Sequence, residues 1–179
     1  WARPLVMGVL NVTPDSFSDG GLWLDPKAAL RHAHALFDAG ADLVDLGGES
    51  TRPGAPTVSV EEELARILPV AQGLARELPG RPWSIDTHKA EVAREAVDMG
   101  ACLINDVSAL QADPAMVGVA ATTGAAVCLM HRLEPPAGAK WSADERSHYG
   151  PAGVMAAVIE FLRQRADVCV AAGIPATRI

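Results

Sequence analysis

Apolar runs and polar stops alternate along the chain regularly enough to set its architecture. Leu5 to Leu10 has the length and bounded apolar character of a strand buried on both faces. It halts at Asn11, before a polar, glycine-ended loop that runs to Gly21. Asp25-Pro26 joins a capping side chain to a proline at the first helical position, and Ala29, Leu30, Ala33, Leu36 and Phe37 recur at helical spacing until Gly40. Asp42 to Leu46 predicts a second strand, followed by a second polar, glycine-rich loop over residues 47–54. Ser59 and Glu62 form a capping box for a helix that reaches Leu78.

The same event then recurs. Pro82 to Ile85 predicts a strand ending in Asp86-Thr87-His88, and a helix follows from Lys89 to Met99. Ala101 to Ile104 is strand again, ending in Asn105-Asp106, and Asp113-Pro114 opens a helix that Gly124 closes. Ala125 to Met130 is a fifth strand finishing at His131. Arg132 to Gly150 is irregular, and a helix follows with Val154, Ala157, Val158, Phe161, Leu162 and Cys169 on its inner face. Ile174 to Ile179 reads as the approach to a sixth strand.

Gly40, Gly100, Gly124 and Gly173 each end a helix just before a strand opens, which is an internal strand-helix repeat. Such a repeat predicts parallel strands whose C-terminal ends share one side of the sheet. Asn11, the 47–54 loop, Asp86, Asn105 and His131 should therefore converge. A (β/α)8 barrel binds its ligands on that side, and so does an open doubly wound sheet. Five units do not close an eight-stranded barrel, so either the sheet is open or the chain is part of a larger fold.

Composition narrows the class without changing this outline. A chain of 179 residues with 49% hydrophobic and 21% charged positions predicts one globular domain. Lys and Arg number 15 against 22 Asp and Glu, for a net charge of -7. That balance argues against a nucleic-acid partner, yet backbone amides, local arginines or a bound metal can still hold an anionic ligand. No run of about 18 apolar residues and no signal-peptide core occur, so no membrane partner is expected and the reading is cytoplasmic. Cys102, Cys128 and Cys169 are odd in number, lie in apolar stretches and lack CxxC spacing, so they read as buried structural thiols.

Taken in order, MGVLNVTPDSFSDGG, DLGGESTRPGA, SIDT, INDVS and LMH resemble the dihydropteroate synthase family from about Leu5 to the end of the chain. The first two motifs are long and specific. The resemblance implies a (β/α)8 TIM barrel of which this chain holds the first five strand-helix units, stopping before the sixth strand. It implies a magnesium-assisted transferase of folate synthesis that joins 6-hydroxymethyl-7,8-dihydropterin diphosphate to 4-aminobenzoate, and a homodimer. It also implies that Asn11 meets metal and diphosphate, that Asp86 and Asn105 bind the pterin ring, and that Met130 lines its pocket. Thr51 and Arg52 would help to hold diphosphate and aminobenzoate, with Asn11 and Arg52 nearest the chemistry. No stretch matches the family's later Asp-Pro-Gly-x-Gly-Phe, Ser-Arg-Lys or Arg-x-His motifs, so residues 1–179 are not expected to suffice for catalysis. The other readings are a methyltetrahydrofolate methyltransferase type of pterin barrel and a noncatalytic pterin-binding module.

The residue types suit that chemistry, and each has a plainer reading beside it. Magnesium takes oxygen ligands and keeps several waters, so the amide oxygen of Asn11 fits it, although a turn asparagine also bonds loop backbone. Asp86 at a strand end needs donors, which a pterin's amino group and ring N–H supply; the alternative is that it caps the next helix. Asn105 can donate and accept at once, or simply satisfy a strand end. Arg52 beside Thr51 offers guanidinium and hydroxyl donors to an anion. Phe17, the large apolar residue of the first loop, could close over substrate, while Asp15, Ser16 and Asp19 make that loop hydrophilic. His131 reads as packed or hydrogen-bonded, His88 as solvated, Asp45 as structural, and the runs Glu61-Glu62-Glu63 and Asp144-Glu145-Arg146 as solvated faces.

Overall fold

The computed structural model describes residues 3–13, 25–50, 57–132 and 153–179. Five strands, β1 (Met7–Asn11), β2 (Leu43–Gly47), β3 (Trp83–Asp86), β4 (Leu103–Asp106) and β5 (Ala126–Leu129), alternate with five helices. The helices are α1 (Pro26–Asp38), α2 (Val60–Glu77), α3 (Ala90–Asp98), α4 (Met116–Thr123) and α5 (Gly153–Ala171). The segment 174–179, predicted as the approach to a sixth strand, contains a short 3-10 turn at Ala176–Arg178.

All four strand pairings are parallel and the sheet order is β1-β2-β3-β4-β5. Successive helices α1 to α4 touch one another, which puts them in one layer on one face. A doubly wound sheet reverses its strand order and places helices on both faces; this sheet does neither, so the open question is answered as an arc of a barrel.

The predicted caps form. The Asp25 carboxylate accepts from the Lys27 amide at 3.0 Å, and the Ser59 hydroxyl accepts from the Glu62 amide at 3.2 Å. Between sheet and helices lies a row of apolar side chains in register, Leu10, Leu46, Ile85, Ile104 and Val127, all buried. With it pack Ala33 and Phe37 of α1, Ile67 and Leu74 of α2, and Val92 and Ala96 of α3.

Three expectations about depth fail; for Val9 and Cys128 the reason is that one face of the sheet has no helix layer over it. Strand β1 is buried on one face only, with Val9 57% exposed on the concave side. Cys102 and Cys128 are exposed, and only Cys169 is buried. The α5 face has the predicted periodicity, but Val154 is exposed and Ala157, Val158, Phe161 and Leu162 are half-buried. One helix layer covers one face of a sheet. The concave face of a barrel is filled by strands from across it, and five strands do not supply them.

Candidate functional site

The register sets the polar strand ends side by side. Asn11 lies opposite Gly47, Gly47 opposite Asp86, Asp86 opposite Asn105, and Asn105 opposite Cys128, which is one row across all five strands. Side chains alternate between faces along a strand, so this row points away from the helices, as does the row of Asp45 and Ser84 two residues earlier.

Gly47 keeps the row tight. A Cβ built there would lie 2.9 Å from Asn11 Oδ1 and 3.7 Å from Asp86 Oδ2, so the two polar side chains close over the bare glycine from either side.

Asp86 does not cap α3. The Thr87 hydroxyl accepts from the Lys89 amide at 3.2 Å, and the Asp113 carboxylate, reaching over from the start of the next helix, accepts from the Ala90 amide at 2.8 Å. That leaves Asp86 Oδ1 buried with no hydrogen-bond partner. Burial first, and then the nearby carboxylates of Asp45, Glu63, Asp106 and Glu49, push its pKa up to about 7. A buried carboxyl without donors is costly, and a ligand that brings N–H groups relieves the cost.

Asp45 is the neighbour that sequence reasoning undervalued. It accepts from Asn105 Nδ2 at 2.8 Å and from Ser84 Oγ at 2.5 Å. Burial raises its pKa, and these two hydrogen bonds oppose that. The contact orients the Asn105 amide. Asp45 is thus structural, as expected, but what it structures is the site. Cys128, in the same row, is exposed as a residue, but partial burial of its thiol, and then the charges of Asp45 and Asp86, raise its pKa.

Glu63 is the plainest correction to the sequence reading. It is 0% exposed and not part of a solvated face. Lys89 Nζ bonds its Oε2 at 2.5 Å and also bonds Glu49 Oε2, so one half-buried lysine bridges the second loop, α2 and the start of α3. Burial works against the charged lysine, but the bonds to Glu49 and Glu63 carry its pKa above the usual value. Arg66 adds a bond from Nη1 to Gly48 O at 2.8 Å. His88 is partly exposed with Nε2 4.0 Å from Glu49, more engaged than the solvated reading.

Met130 follows β5 and is 39% exposed. His131 packs edge-on against Phe161, with ring centroids 5.0 Å apart at 89°, in line with its packed reading. Phe17, Thr51, Arg52, Asp15, Ser16, Asp19 and the 144–146 charge run lie outside the described residues. Among the described residues no group of three or more His, Cys, Asp or Glu could hold a metal.

A sequence profile of the family described as pterin binding enzyme matches residues 7–179. The chain belongs to the pterin binding enzymes. Other members show how much of such an enzyme is present. The dihydropteroate synthase of Bacillus subtilis is 53% identical over 129 residues, which are 72% of this chain and 45% of that protein. A Clostridium difficile dihydropteroate synthase solved with pteroic acid superposes with a TM-score of 0.83 at 41% identity, over 99% of this chain and 62% of that one. The Xanthomonas albilineans dihydropteroate synthase with 4-aminobenzoic acid gives 0.80 at 44% identity, over 98% and 59%. The chain therefore spans about half the length of the curated relatives it matches. Its five parallel strands are the first part of the family's barrel.

Proposed function

We propose that this chain is the pterin and diphosphate side of a dihydropteroate synthase. The reaction joins 6-hydroxymethyl-7,8-dihydropterin diphosphate to 4-aminobenzoate and releases pyrophosphate. The observation that carries the reading is the row Asn11, Gly47, Asp86 and Asn105, with the buried carboxylate oxygen of Asp86 lacking a donor. A pterin has an amino group and ring N–H on one edge, which suits that carboxylate. The Asn105 amide, held by Asp45, meets the mixed part of the ring edge, and Met130 lies against the ring.

At the other end of the row, Asn11 faces the diphosphate. Magnesium, when bound there, would neutralise the charge that grows on the leaving diphosphate, with Asn11 as its protein ligand and the remaining oxygens from water and phosphate. Thr51 and Arg52 offer further donors to diphosphate and to the aminobenzoate carboxylate, and Phe17 closes over the reacting groups. In the same reading the protein works as a cytoplasmic homodimer. No helix among the described residues is long and apolar enough to cross a membrane.

Incubating the intact protein with both substrates and magnesium is expected to give 7,8-dihydropteroate and pyrophosphate by product analysis. Absence of both products, alongside methyl transfer from methyltetrahydrofolate, would overturn the assignment. Gly47→Ala tests the crowding in the row. The new Cβ forces the Asn11 amide aside and should weaken pterin diphosphate binding about tenfold, since small misplacements at reacting groups are costly. The urea midpoint should not fall, because alanine suits a strand interior better than glycine. Calorimetric affinity equal to that of the parent protein would show that Asn11 is not engaged.

A further inference from the structure

The connection from β4 to α4 holds two consecutive non-glycine residues in the left-handed region, Ala109 at φ 54° and Leu110 at φ 61°. They are the only non-glycine residues with positive φ among the described residues. Side chains disfavour that conformation, and it persists only where the surroundings impose it. Both residues are buried.

Two groups impose it from opposite sides. The fully buried Asp106 carboxylate accepts from the Ser108 amide at 2.7 Å and the Leu110 amide at 3.1 Å. Arg165, far along the chain on α5, donates from Nε to Ala109 O at 2.9 Å and from Nη2 to Leu110 O at 3.4 Å. The guanidinium is thus aimed at the carbonyls of the two strained residues. The Ser108 hydroxyl closes the turn by accepting from the Gln111 and Ala112 amides.

This turn begins at the site. Asp106 follows Asn105 directly, and the Asn105 carbonyl accepts from the Thr87 amide at 3.1 Å, next to Asp86. Movement of the turn is therefore transmitted to both groups assigned to the pterin ring. A bond that merely tied α5 to the sheet would have no reason to select the two left-handed carbonyls.

We propose that Arg165 is a positioning residue for pterin recognition, clamping the strained turn that fixes Asn105. The inference rests on the pterin reading of Asp86 and Asn105. In the intact protein, Arg165→Met is expected to raise the KM for the pterin diphosphate about tenfold. The KM for 4-aminobenzoate and kcat should change less than about twofold. Adding Ala109→Gly, which removes the strain at that residue, should recover most of the pterin KM. A general loss of fold would move both KM values together and would not be rescued in this way.

Unchanged pterin KM in Arg165→Met, or failure of Ala109→Gly to recover it, overturns the proposal. If Arg165→Met does not yield folded protein, Arg165→Lys, with a single donor head, should give an intermediate rise, and parent-like KM there overturns it equally. Asp86→Asn measured alongside separates the two ideas. Parent-like pterin affinity in Asp86→Asn removes the pterin reading itself, whereas a loss confined to Asp86→Asn removes only the role of Arg165.

Discussion

Asp86→Asn is expected to weaken binding of the pterin diphosphate about a hundredfold by calorimetry. The change keeps the shape of the side chain but replaces one acceptor by an NH2 group facing a donor edge. Hydrogen bonds to a charged partner contribute about 1.5–3 kcal/mol each, and a mismatched donor pair adds desolvation, so about 3 kcal/mol and two orders of magnitude follow. The pH dependence gives the same group a second signature. Only the ionised carboxylate accepts from two N–H groups, so affinity in the parent protein should rise as pH increases through about 7, the pKa at which burial and neighbouring acids hold Asp86. The carboxamide of the variant does not titrate, and its profile should be flat there.

For the ligand-free fold the sign is opposite. A carboxyl whose folded pKa is raised from 3.8 to about 7 binds its proton more tightly in the native state, so this group's contribution falls as pH rises between those values, on the order of 4 kcal/mol at most. Affinity flat with pH in the parent protein, or equal in both proteins, would disprove the role of Asp86.

Lys89→Met should be the most destabilising single change in the charged part of the structure. Lys89 is only 13% exposed and balances Glu63, which is fully buried, together with Glu49. Removing one partner of a buried ion pair leaves an uncompensated charge and costs about 3–5 kcal/mol. Urea denaturation should show a loss of that size. Replacing Glu63 by Gln as well should restore part of it, since the more deeply buried of the two charges is then gone while that of Glu49 remains. A loss under about 1 kcal/mol would mean that the carboxylates find water or other donors, which is the behaviour of surface pairs.

The strands and helices were legible because each is marked twice, by an apolar run and by a cap or a helix-ending glycine. Asn11, Asp86 and Asn105 were legible as candidate site residues because each is the polar stop of an apolar strand. Their sharing of one row was not, since register is set by pairing between strands about 20 to 40 residues apart.

Glu63 was misread because it was grouped with its charged neighbours. Spacing places it with Ile67, Val70, Ala71 and Leu74 on the buried stripe of α2, which was a signal available in the sequence. Asp45 looked structural because nothing in the chain says that its carboxylate reaches Asn105. The two left-handed residues had no sequence signal at all, since Ala109 and Leu110 are the wrong types for such positions.

The strand order has a consequence for how the chain assembles. Every pairing among the described residues joins a strand to the next one in sequence, so none of these four waits for a segment made much later. The order of synthesis is then also the order of docking, each new strand-helix unit finding a ready edge on the one before it. Local closure of this kind keeps the entropic cost of each step small. The candidate row grows the same way, one position per strand, with Asn11 in place before Asp86 and Asp86 before Asn105.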